Sequence, residues 1–92
     1  MGVFVILSKI PENPKLEAVI QGMFPNNYYE LSTGQWLVSR EGTAKTVADE
    51  IGITDKSKGL GSAIVLSVTG YWGVYSTDVW DWLKDKLESS VG

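Results

Sequence analysis

Carboxylates and lysines are the side chains best placed to do acid–base or metal chemistry in this sequence, because its 92 residues include no His and no Cys. That composition removes imidazole bases, thiolate nucleophiles, thiolate zinc sites and disulfides together. The densest group of acids is Asp78, Asp81, Asp85 and Glu88, three or four residues apart in what reads as a helix. Lys84 and Lys86 are interspersed with them, so the pattern is that of a solvated helix face with local ion pairs rather than a cation site. Asp49 and Glu50 are adjacent on a second helical segment and point in different directions. The acids therefore offer no frame for two-carboxylate catalysis. The expectation is no catalytic residue, no metal ligand and no cofactor.

Three other groups bear on binding. Lys58-Gly59-Leu60-Gly61-Ser62 has the glycines of an anion-cradling loop, but it precedes a strand instead of following one and opening a helix, so a flexible turn is expected. Gly70-Tyr71-Trp72-Gly73-Val74-Tyr75 is partly like the aromatic strand on which RNA-binding sheets stack bases. Thr69 stands where a basic residue would head such a strand. Packing or a dimer interface rich in Tyr and Trp is the better reading, with Trp36, Tyr71, Trp72 and Tyr75 as contact residues. Arg40, Lys45, Lys56 and Lys58 fall around the second helix and the loop after it. They form a candidate phosphate-contacting edge in a chain whose net charge is −3, a charge that gives no long-range attraction to nucleic acid or an anionic membrane.

The elements that must position these groups follow from pattern. Val3-Phe4-Val5-Ile6-Leu7 is apolar on both faces and reads as a central strand. It is far too short to span a bilayer and has no basic leader, so a cytoplasmic protein without membrane contact is expected. Asn13 caps a helix whose first turn holds Pro14 and whose stripe is Leu16, Val19, Ile20 and Met23. Tyr28–Ser32 and Gln35–Arg40 flank Thr33-Gly34 as an antiparallel hairpin. Thr43 caps a short helix with Ala44, Val47, Ala48 and Ile51 on one face, and Gly52 stops it. Residues 54–61 read as a mobile connection. Ala63–Val68 is the strongest strand signal. The last helix, Asp78–Leu87, carries an inner stripe of Val79, Trp80, Leu83 and Leu87.

The order β-α-β-β-α-β-α begins with the split pattern of ferredoxin-like folds. The expected fold is α+β, a single ferredoxin-like domain over residues 1–92 with a four-stranded antiparallel sheet and an extra C-terminal helix. Both crossover helices fall on one sheet face. The other face needs cover, which either the C-terminal helix or a second subunit packed sheet to sheet would provide.

Gln35-Trp36-Leu37-Val38-Ser39, then Thr43-Ala44, Val47 and Ile51, then Ile64-Val65-Leu66-Ser67-Val68 and Trp80-Asp81-Trp82-Leu83 resemble the small proteins related to the CRISPR-associated endonuclease subunit of spacer acquisition, including the SinR-like group. The resemblance implies a ferredoxin-like protomer in a two-fold dimer, with nucleic acid or a nucleic-acid-handling protein as partner. Active members of that family place an aspartate at the end of the first strand. Here the strand ends Leu7-Ser8-Lys9, without an acid, so a non-catalytic binding or regulatory homodimer is expected. The alternatives are a metal-dependent nuclease in which Glu12, Glu30 or Asp78 from each subunit meets at the two-fold axis, and an acidic decoy that uses Asp78 to Glu88 to occupy a basic site.

Overall fold

The computed structural model of the chain describes residues 2–71, 73 and 75–88. Four strands, β1 (Gly2–Ser8), β2 (Tyr28–Ser32), β3 (Gln35–Arg40) and β4 (Ala63–Val68), form one sheet in the order β2-β3-β1-β4. Every neighbouring pair is antiparallel. With α1 (Pro14–Met23) and α2 (Ala44–Ile51) as the crossovers, this is the ferredoxin-like arrangement. A third helix, α3 (Thr77–Leu83), follows β4.

Local chemistry sets most boundaries. The Asn13 side chain accepts from Leu16 N at 3.2 Å, and Pro14 occupies the first turn of α1. Thr43 and Thr46 cap α2 reciprocally, and Gly52 ends it with a left-handed φ of 99°. At the hairpin, Gly34 has φ 81°, and a Cβ there would stand 2.8 Å from the Pro11 carbonyl oxygen. No other residue type meets both conditions at that turn.

Alternation along the strands divides the buried side chains into two layers. Phe4, Ile6, Trp36, Val38 and Val65 pack against Leu16, Ile20, Phe24, Val47 and Ile51 from the α1/α2 side. Val3 and Leu37 pack against Val79 and Leu83 of α3 on the opposite side, with Val5, Tyr29, Leu31 and Val68 at the margin. Of the two covers open to the second face, the chain's own C-terminal helix is the one in place. It lies over β1, β2 and β3 and leaves Ile64 and Leu66 of β4 54% and 43% exposed.

Two elements depart from expectation. The α-helical part of the last helix stops at Leu83, and Lys84–Glu88 continue as one wider π-turn. This keeps Leu87 against the second layer together with Trp82, whereas Trp80 turns toward Tyr71. The cap position is Ser76, so Asp78 sits inside the first turn. Residues 54–61 are not a loose connection. Lys56–Lys58 make a 3₁₀ turn capped by the Asp55 side chain, and Leu60 is buried in the first core. Asn13 Nδ2 donates to Leu60 O at 2.7 Å and to Ser8 Oγ at 3.1 Å, which fixes this segment to the start of α1 and the end of β1. No helix among the described residues is long and apolar enough to cross a membrane.

Candidate functional site

The four aromatic residues singled out in the sequence do not form one surface. Trp36 shares its β3 face with Val38 and pairs across to Ile6, so its ring lies in the α1/α2 core at 1% exposure. It is a core residue and not a contact residue. Its Nε1 is buried without a hydrogen-bond partner among the described residues, a cost outweighed by the apolar area of the ring. Trp72 lies outside the described residues. Tyr71 and Tyr75 are on the other side of the sheet. The Tyr71 ring is tilted against Trp80 at 5.2 Å, and Tyr75, 55% exposed, donates its hydroxyl to Leu31 O at 3.3 Å. Together with Leu31, Leu37, Val68, Val79 and Leu83 they line an apolar cavity of about 280 Å³ between sheet and helix. These tyrosines are walls of a packing layer, and neither ring stands free on an open sheet face as base stacking requires.

The four basic residues are also divided. Arg40 opposes Gly2 at one end of β1, whereas Lys56 and Lys58 belong to the segment that enters β4, whose Ala63 opposes Ser8 at the other end. The two ends of β1 are about 20 Å apart at about 3.3 Å per residue. Arg40 is paired with Glu50 and lies over the Phe24 ring at 5.4 Å. Lys45 is paired with Asp49 at 2.9 Å. A hydrogen bond from Thr54 and then Lys45 itself hold the Asp49 carboxyl below the usual carboxylate range, and Asp49 raises Lys45 in turn. Arg40 and Lys45 thus each have a carboxylate partner, and Arg40 stands at the opposite end of β1 from the segment that carries Lys56 and Lys58.

Lys56 and Lys58 are instead joined by two lysines that sequence reasoning missed. Lys9 follows β1, and its backbone N–H donates to Ser62 O at 2.8 Å. Lys15, in the first turn of α1, brings its Nζ to 3.5 Å from where a Gly59 Cβ would stand. The stem of Lys58 folds over Gly52. All four are exposed, and among the described residues none has a carboxylate within ion-pair distance. Lys56 lines a recess of about 540 Å³ with Gly59, Gly61 and Ser62, and Lys15 Nζ lies beside Gly59 at its rim. The acid in that recess is Asp55, held below the usual carboxylate range by hydrogen bonds from the Ser57 hydroxyl and amide. Antiparallel pairing of β1 with β4 is the signal that could have found Lys9, since it brings the end of one strand to the start of the other.

The candidate nuclease acids lie in two places. Glu12 and Glu30 line a recess of about 330 Å³ between the start of α1 and the β2–β3 hairpin, together with Glu17. Asp78 is on α3, across the sheet. Among the described residues no three acids are grouped so as to hold a metal ion. At the end of β1 the Ser8 hydroxyl accepts from Asn13. On the last helix Asp85 lies 3.7 Å from Lys86, whose Nζ also donates to Asn27 Oδ1. The acidic face thus includes a cation tied back to the body of the protein.

A scan against protein-family models and a search of the curated proteins find no match to this chain.

Proposed function

We propose that this chain is a cytoplasmic, non-catalytic binding module that works as a homodimer and contacts the phosphates of nucleic acid through Lys9, Lys15, Lys56 and Lys58. The observation that carries this reading is the placement of four exposed lysines, none with a carboxylate within ion-pair distance among the described residues, around one end of the β1/β4 pair in a molecule whose net charge is −3. Local clustering of this kind, and not overall charge, makes a phosphate footprint. The loop between them is held by Asn13 and by buried Leu60, so the lysines project from a fixed base. The resemblance to proteins of CRISPR spacer acquisition supports the same partner class.

The test is binding of labelled single- and double-stranded oligonucleotides at about 50 and about 200 mM salt, where counterion release makes phosphate contact visible. Replacing Lys56 and Lys58 with alanine should weaken binding several-fold across unrelated sequences and flatten the salt slope by about one for each lysine lost. Arg40→Ala and Lys45→Ala should leave the slope unchanged. A wild-type protein that binds no oligonucleotide at low salt would remove the nucleic-acid part of the reading.

A further inference from the structure

The two edges of the sheet are built differently, and the difference identifies what one of them meets. β2 carries Glu30 and a register irregularity between Glu30 and Ser32, both of which discourage another strand from pairing there. β4 has neither. Its sequence, Ala63-Ile64-Val65-Leu66-Ser67-Val68, holds no charge and no proline, and among the described residues it pairs with β1 alone, in unbroken register. Half of its amides and carbonyls therefore point away from the sheet. On the α3 side Ile64 and Leu66 stand beside Leu7 and Val5, beyond the reach of the helix, at 54% and 43% exposure.

We infer that β4 is a self-pairing edge, on which β4 of a second copy docks antiparallel to make a continuous eight-stranded sheet. This rests on the homodimer reading and specifies its interface. The occupant of such an edge must be an extended strand, because only a strand satisfies a row of outward amides and carbonyls. A second copy offers one that is already ordered and uncharged, so pairing incurs no entropy of ordering a loose peptide. An antiparallel pair of identical strands is also closed by two-fold symmetry and stops at two. A register centred on Val65 sets Ile64 opposite Leu66 of the other copy. Directly opposed residues share a face, so these four side chains cover one another where α3 does not reach. The same register sets the two lysine-rich ends about 20 Å apart along the seam.

Light scattering tests the inference on the whole chain. The wild type should have twice the 10.1 kDa chain mass, and Leu66→Lys should halve it while circular dichroism stays native. Ser32→Lys, on β2, should leave the mass doubled. A Leu66→Lys protein that remains dimeric overturns the β4 interface and leaves the homodimer reading standing. A monomeric wild type at hundreds of micromolar overturns both. Hydrogen exchange of the wild type decides the question without any variant: β4 amides should exchange at least about tenfold more slowly in concentrated than in dilute protein, with β2 unchanged. Exchange in β4 that ignores concentration overturns the inference.

Discussion

Asn13 shows how much one side chain can hold. It is 7% exposed, caps α1 through its oxygen and satisfies Leu60 O and Ser8 Oγ through its nitrogen. Asn13→Ala removes a cap and leaves a buried carbonyl without its donor, so the expected cost is about 2–4 kcal/mol in urea denaturation. Asn13→Asp keeps the acceptor and loses the donor, and should be at least as damaging. The capping role was legible because it depends on a neighbour three residues away, whereas the bond to Leu60 depends on the fold. Trp36 fails in the sequence for a related reason. Alternation in β3 groups it with Val38, but which of the two sheet faces that pair occupies is settled by the handedness of the crossovers. A pH dependence also belongs at this scale. Asp49 is held below its ordinary value in the folded chain, so its contribution is present above the ordinary carboxylate pKa and is lost as pH falls through the lowered folded value. The melting-temperature advantage of the wild type over Asp49→Asn should therefore shrink as pH falls below about 5.

At the scale of elements, the hairpin, both crossover helices and the strong β4 signal could be read because each depends on contacts within a few residues. The third helix was legible in its amphipathic stripe but not in its ending, since the wide turn over Lys84–Glu88 serves contacts with the sheet. Residues 54–61 looked like free loop from their glycines and charges, and one apolar residue, Leu60, makes them part of the core. Two comparisons test the layering. Ile20→Ala, in the α1 layer at 0% exposure, should cost about 3–4 kcal/mol, and Leu83→Ala, at 8% under the smaller third helix, about 2 kcal/mol. Equal losses would mean that the two sides of the sheet contribute alike. Gly34→Ala should be destabilising by more than about 1 kcal/mol, because it adds a left-handed strain to a backbone collision, and thermal denaturation would read it.

For the whole molecule, the candidate site was the part least visible beforehand. Charge clusters are made by topology: Lys9, Lys15, Lys56 and Lys58 come from three separate stretches of chain, and only the pairing of β1 with β4 and the docking of α1 beside the loop unite them. The pairing pattern has another consequence, for the order in which the protein can form during synthesis. β1 is the first strand made, and both of its partners come later: β3 ends at Arg40 and β4 at Val68. An emerging chain therefore carries its most apolar strand unpaired on one side until β4 has been translated. Stalled chains cut before Ala63 should bind holdase chaperones, and chains extending past Val68 should resist protease, with the change falling at the arrival of β4 rather than gradually along the sequence.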